Sequence, residues 1–402
     1  MRIASNGLPF ALFLGMLAAL PPLSIDMALP ALVPVAAALR TTPSMAGLTL
    51  GLFMIGFAVS PIVYGPAADR FGRRPVLLVG LGLFTLGGVA ATGAMSITML
   101  LGARLLQGAG AGVGMTLAFA IVRDVFEGKA ARTRLALITV VANVAPIVAP
   151  AIGATLLAAA GWRAIYGVTT LSGLALIAIV RLGFAETRPH RAVVDGPALP
   201  RLVRDYRTVL MHGETISHIL VNGLGFGWMF AYVAGSPLIL VGLFRVTPAV
   251  YALLFACTGA GIMAGAAVNG YLARHGVTSE RVLLSAILLA VLATATLTGL
   301  TIVHRLPLSG LMPLLVLATF SFGLAAPSAS HGALDPMPAF AGVTGGLLTS
   351  VQMLVGAAAS SAVALLFADF GLLSMVGVMT ICALGALGVY LPHVLRRHRH
   401  AS

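Results

Sequence analysis

Charge is what this chain has least of. Only 9% of its 402 residues are Asp, Glu, Lys or Arg, and only 11 are acidic. A soluble domain carries about 25% charged residues, so there is too little polar surface here to cover a water-soluble globule. Cysteine is equally sparse: Cys257 and Cys382 both fall in apolar runs. They show neither a disulfide framework nor metal-ligand spacing, and read as small buried hydrophobes. His-rich metal spacing, a buried Ser/His/Asp grouping and a Walker-type phosphate loop are all missing. Those absences argue against a membrane-embedded enzyme and against autonomous ATP drive. No cofactor and no metal are expected. The longest polar stretch, residues 185–213, is too short for the soluble output module of a sensor.

What the chain does have is apolar sequence, 59% of its residues, in runs that recur from end to end. A membrane-spanning helix needs about 20 mostly apolar residues. Spans are expected near 8–30, 44–65, 76–95, 98–122, 136–158 and 164–184. Six more follow near 214–239, 249–272, 282–303, 309–329, 343–366 and 372–394. The first could pass for a signal peptide, but with so many spans after it an uncleaved first helix is the better reading. The Arg-rich stretch 185–213 divides the chain into two six-helix halves, 1–184 and 214–402. Such a plan is typical of transporters built from internal repeats. A degraded repeat shows after the second span of each half, Gly65 to Arg74 against Gly270 to Gly276.

The net charge of +13 could suggest nucleic acid, but the basic residues sit in short clusters between apolar runs. With both ends inside, 19 of the 24 Lys and Arg residues fall in cytoplasmic segments, including Arg2, Arg188, Arg191 and Arg201. Outer loops hold only Arg40, Arg163, Arg245 and Arg305, and Arg104 lies within a span. That skew puts both termini in the cytoplasm.

Ten of the acids lie in loops or at span edges: Asp69, Asp124, Glu127, Glu186, Asp195, Asp205, Glu280 and Asp335 inside, Glu214 at the inner edge of span 7, and Asp369 outside. Asp26 alone sits well inside a span. An ionisable group there is costly and is a functional candidate by default. Asp26 is about four residues, and Arg104 about six, from the outer ends of spans 1 and 4, roughly 6–9 Å below that edge. They could meet inside the N-terminal half. Two readings follow: Asp26 exchanges protons as substrate moves, or the two form a permanent ion pair that fixes packing. Gln107, one turn from Arg104, could bond substrate or Asp26, or simply tie two helices together. Asn143, Asn222 and Gln352, with Asn269, are expected to be buried amides; the first three are candidates for the substrate cavity, with bonding between helices as the plainer reading of each. Met54, Phe57, Trp228, Phe230, Tyr232 and Met353 could line a substrate cavity, where an adaptable Met and aromatic wall suits varied lipophilic compounds; ordinary helix packing is the plainer alternative for each.

Three motifs carry a resemblance. Gly65-Pro-Ala-Ala-Asp69-Arg70-Phe-Gly72-Arg73-Arg74 lies between spans 2 and 3, Arg104-Leu-Leu-Gln107-Gly108-Ala-Gly110 in span 4, and Ala145-Pro146-Ile-Val-Ala-Pro150-Ala-Ile-Gly153 in span 5. They resemble the signatures of the major facilitator superfamily. Ser24-Ile-Asp26-Met27, Val122-Arg123-Asp124, Gly161-Trp162-Arg163, Glu186-Thr187 and Phe230-Ala-Tyr232 narrow the likeness to the bicyclomycin-resistance (Bcr/CflA) drug-efflux family. That resemblance implies an all-α major facilitator fold and proton/drug antiport across a bacterial inner membrane; the alternative is a facilitator-type exporter of a metabolite such as an amino acid or sugar. The partners would be protons, a small molecule and lipid, acting on a monomer. It also implies a cytoplasmic gate in which Asp69, with Arg123 nearby, meets the start of span 11. Gly65 and Gly72 would make the tight turn, and Arg70, Arg73 and Arg74 would anchor the inner side. Pro146, Pro150 and Gly153 would form a flexible, closely packed seam that prevents leak in exporters.

Overall fold

The computed structural model describes residues 8–187, 198–303 and 306–401; Arg2, Arg188, Arg191, Asp195 and Arg305 lie outside them. Every regular element among the described residues is helical. In chain order these are α1 (Leu8–Asp26), α2 (Leu32–Ala38), α3 (Pro43–Phe71), α4 (Arg73–Thr92), α5 (Ile97–Val125), α6 (Gly128–Ala160), α7 (Trp162–Leu182), α8 (Ala198–Met211), α9 (Gly213–Pro237), α10 (Pro248–Arg274), α11 (Ser279–Val303), α12 (Leu308–Leu334), α13 (Ala341–Phe370) and α14 (Leu372–Ala401). Among the described residues, twelve spans are long and apolar enough to cross a membrane. They fall six to each of two compact units, Met1–Asp195 and Gly196–Ser402. This is the expected twelve-span, two-bundle plan.

Three boundaries differ from expectation, each for a physical reason. The first span continues past residue 30, through a 3-10 turn (Leu29–Ala31) into α2, and ends at Ala38. Asp26 therefore lies twelve residues from the outer end, about 18 Å at 1.5 Å per residue, and not four. It sits near mid-membrane, where helical bonding gives way: Ala28 N–H donates to Ile25 at 3.3 Å in place of Ser24.

The motif from Gly65 to Arg74 is helix and not loop. Gly65, Asp69 and Arg70 occupy the last turns of α3, and a side chain at Gly65 would meet nothing within 4 Å. Only Gly72 makes the turn, with φ +100°, a conformation that a Cβ disfavours. Finally, the stretch 185–213 contains a 14-residue helix, α8.

The internal repeat is clearest in the backbone. Among the described residues, two other than glycine have positive φ, Arg40 (52°) and Arg245 (54°). Each stands two residues before a Thr-Pro pair, Thr42-Pro43 and Thr247-Pro248. Each threonine caps its helix, accepting from Met45 N–H at 3.2 Å and from Val250 N–H at 3.3 Å. The left-handed glycines pair in the same way, Gly72 with Gly276 and Gly161 with Gly371. Helix packing repeats too. The α3–α5 crossing is so close that a Cβ on Gly108 would strike the Phe53 backbone, and at the α10–α12 crossing one on Gly323 would strike Ile262. Without a hydrophobic drive between helices in lipid, such close backbone contact holds the bundle together.

Candidate functional site

Ser24, Arg104, Gln107 and Thr169, all buried polar residues of the first unit, gather where α1 ends. Breaking the helix after Asp26 leaves the Ser24 carbonyl without its backbone donor. Arg104 supplies one: its Nη2 donates to Ser24 O at 3.1 Å. Its Nη1 donates to Gln107 Oε1 at 2.5 Å, and Gln107 Nε2 donates in turn to Thr169 Oγ1 at 3.2 Å. The guanidinium lies 4.3 Å from the Phe53 ring centroid and 5.6 Å from that of Tyr166. Cation–π contacts of this kind reach about 2 kcal/mol when desolvated. Arg104 Nε has no partner among the described residues.

Asp26 takes no part in this network. It is 5% exposed, yet among the described residues no hydrogen bond or salt bridge engages its carboxyl. The possible permanent Asp26–Arg104 ion pair is absent, because the freed Ser24 carbonyl and the two aromatic rings hold the guanidinium instead. Gln107 likewise bonds Arg104 and Thr169, and not Asp26. Immediately after Asp26 the chain meets α6: a Cβ on Gly153 would collide with the Met27 carbonyl. Ala149 and Trp162 complete the apolar cluster around Met27. Of the three span-5 motif residues, Gly153 thus touches the segment carrying the acid. Pro150 is buried beside it, and Pro146 is half-buried in a helix that runs through both prolines.

A second cluster lies at the cytoplasmic end of the same unit. Arg73 donates from Nε to Asp124 Oδ2 at 2.8 Å and from Nη1 to Asp69 Oδ1 at 2.6 Å. Its side chain is 10% exposed; that of Asp124 is 11% exposed and that of Asp69 68%. Asp124 is therefore the buried partner. Glu186 caps α4, accepting from the backbone N–H groups of Arg73 (2.8 Å) and Arg74 (3.1 Å), where a helix start favours an anion. Arg74 donates to the carbonyls of Val180 and Arg181, tying α4 to the end of α7. Arg70 is exposed, 5.3 Å from the Phe71 ring. Arg123, expected beside Asp69, is also exposed, and its neighbour Asp124 makes the ion pair. In the sequence Asp124 and Glu186 stand among the cytoplasmic acids and in short family-like motifs; their role needed the fold.

In the second unit, Asn222 donates to the Ala326 carbonyl (3.3 Å) and Ser330 Oγ (3.0 Å), and its Oδ1 accepts from Gln352 Nε2. Asn269 is spent on Leu324 O and Ser328 Oγ, both at 2.7 Å. Asn143 departs from expectation: it is exposed on α6. Trp228 and Tyr232 are fully buried, and Tyr232 Oη bonds Thr258 Oγ1 at 2.7 Å. Phe230 is buried and stacks on Phe226 at 4.5 Å, while Met353 is half-buried. Met54 and Phe57 are buried on α3. Among the described residues, no three His, Cys, Asp or Glu side chains gather as a metal site.

Residues 12–361 match the Major Facilitator Superfamily. The chain belongs to that superfamily. It is similar to an uncharacterized MFS-type transporter, YdgK, of Bacillus subtilis (strain 168), at 33% identity over 356 residues and 88% of each chain. It is 29% identical over 360 residues, again 88% of each chain, to a bicyclomycin resistance protein homolog of Haemophilus influenzae. The crystal structure of a D-xylose-proton symporter superposes with a TM-score of 0.71 at 14% identity, over 94% of this chain and 97% of that one; this likeness concerns the fold. The superfamily member described here is a multi-pass integral membrane protein that moves small molecules.

Proposed function

We propose that this protein is a proton-driven exporter of small, lipophilic, drug-like compounds in a bacterial inner membrane. It would work by alternating access between halves 1–184 and 214–402, joined by 185–213. The observation that carries the reading is Asp26, a buried mid-membrane carboxyl with no ion pair or hydrogen bond among the described residues, next in the chain to Met27, whose backbone meets Gly153 of α6. The membrane interior penalises the charge and not the carboxyl itself. A proton taken up from outside removes that penalty, and substrate arriving from inside displaces the proton. Arg104 and Gln107 hold the end of α1 in register for this exchange. The resemblance to bicyclomycin-resistance proteins supports a drug-like cargo. Met54, Phe57, Asn143, Asn222, Trp228, Phe230, Tyr232, Gln352 and Met353 are the proposed cargo-contacting set.

In the same reading, Asp69, with Gly65, Arg70, Gly72, Arg73, Arg74 and Arg123, forms the cytoplasmic gate. The exposure of the Asp69 carboxyl leaves it able to engage a second partner.

The test is a drug-susceptibility panel in an efflux-deficient bacterial host. Expression of the protein should raise the inhibitory concentration of several lipophilic compounds, and Asp26→Asn, expressed equally, should not. Unchanged susceptibility to every compound with the wild-type protein would overturn the drug-export reading.

A further inference from the structure

The helix α8, in the stretch between the halves, carries two working faces. One is docked on its own unit. Val209 is fully buried with Ile219, Ala333, Leu347 and Leu348, and Tyr206 packs against the same cluster. Burial pushes the Tyr206 phenol above its ordinary range. The other face is uncovered among the described residues. Val203, Leu210 and Met211 are 60%, 55% and 72% exposed. At helical spacing they share a stripe with Arg207, four residues beyond Val203, and Arg204 flanks it. Both arginines are exposed. The adjacent acid, Asp205, is half-buried and only 3.8 Å from Arg204, a weak pairing.

Position decides what this face can meet. α8 ends at Met211 and the next span begins at Gly213; His212 Nδ1 accepts the N–H of Thr215 at 3.3 Å and caps that span. One residue of connection holds α8 at the level where the span leaves the bilayer. A surface helix with apolar residues among arginines, at that depth and on the arginine-rich side, matches lipid headgroups over acyl chains. Water would solvate the arginines but not the apolar stripe.

We propose that the free face of α8 is a docking surface for anionic phospholipids of the cytoplasmic leaflet. Arg204 and Arg207 contact the phosphates, while Val203, Leu210 and Met211 enter the acyl boundary. This goes beyond the transport reading and does not depend on it.

The experiment uses the full-length chain in a Cys257→Ser/Cys382→Ser background, with a polarity-sensitive fluorophore on Thr208→Cys at the edge of the face. The protein is reconstituted in vesicles of phosphatidylcholine alone or with phosphatidylglycerol. The probe should blue-shift and be quenched by brominated lipid only when phosphatidylglycerol is present. Arg204→Gln/Arg207→Gln should weaken the apparent phosphatidylglycerol affinity about 30-fold, since each arginine near an anionic surface contributes about 1 kcal/mol. Arg204→Lys/Arg207→Lys should retain it, which separates lost charge from a misplaced helix. Identical emission in both vesicle types would overturn the proposal. So would a glutamine variant that behaves as wild type, or a lysine variant that behaves as the glutamine one.

Discussion

Arg104 reaches across from α5 to the carbonyl of Ser24, two residues before Asp26, the one acid buried in mid-span among the described residues, and not to the acid itself. The arginine closes the end of α1 and leaves the carboxyl unpaired. A guanidinium serves Ser24, Gln107 and the Phe53 face together because it is planar and forked; an ammonium cannot. Arg104→Lys should therefore behave as a loss and not as a conservative change. Transport should fall at least about tenfold, the equivalent of about 1.4 kcal/mol, with a lower thermal midpoint in detergent. Wild-type transport by the lysine variant would show that charge alone suffices at this position.

The two acids on Arg73 should separate in their effects. The Asp124 side chain is only 11% exposed, and removing one member of a largely buried pair costs up to about 3–5 kcal/mol. Asp69 is mostly exposed, where an ion pair contributes about 1 kcal/mol or less. Asp124→Asn should lower the unfolding midpoint clearly. Asp69→Asn should leave it nearly unchanged while still slowing transport, as a gate residue would. Thermal unfolding of the two purified variants, beside their transport rates, checks both halves of the statement.

Glu186→Gln removes a carboxylate that caps the first two N–H groups of α4. An anion at a helix start contributes about 0.3–1 kcal/mol when exposed, more when partly buried. A loss of about 1 kcal/mol in stability is expected, read as a small fall in melting temperature relative to wild type, a gap that high salt narrows by screening the wild-type carboxylate.

Gly153→Ala should destabilise, because its methyl would enter the Met27 carbonyl. Gly167→Ala, where nothing lies within 4 Å, should be neutral or slightly stabilising, as alanine favours helix over glycine by about 1 kcal/mol. Melting temperatures of the pair, measured in the same detergent, test whether close approach at α6 matters more than helix propensity.

Span number and the identity of the buried acid were legible in the sequence, because lipid demands long apolar runs and penalises charge within them. The depth of Asp26 was not. Hydropathy falls little between Pro30 and Ala38, and Pro21, Pro22 and Pro30 gave no unique end to the helix. The partner of Arg104 was hidden for another reason: it is a backbone carbonyl freed by a local break, which no side-chain pattern records. The repeat was on the page as Arg-x-Thr-Pro at residues 40–43 and 245–248, but four residues 205 apart carry little weight until both arginines are found in the left-handed region. Asp124 and Glu186 read as ordinary cytoplasmic acids until the helices placed them around Arg73.

In the proposed cycle Asp26 carries the coupling proton. The most direct test is substrate movement in vesicles of the purified protein under an imposed pH gradient, beside exchange of labelled for unlabelled substrate with no gradient. Wild type should concentrate substrate when the gradient is applied. Asp26→Asn should lose that concentration yet keep gradient-free exchange. An asparagine variant that concentrates substrate as well as wild type would contradict the account.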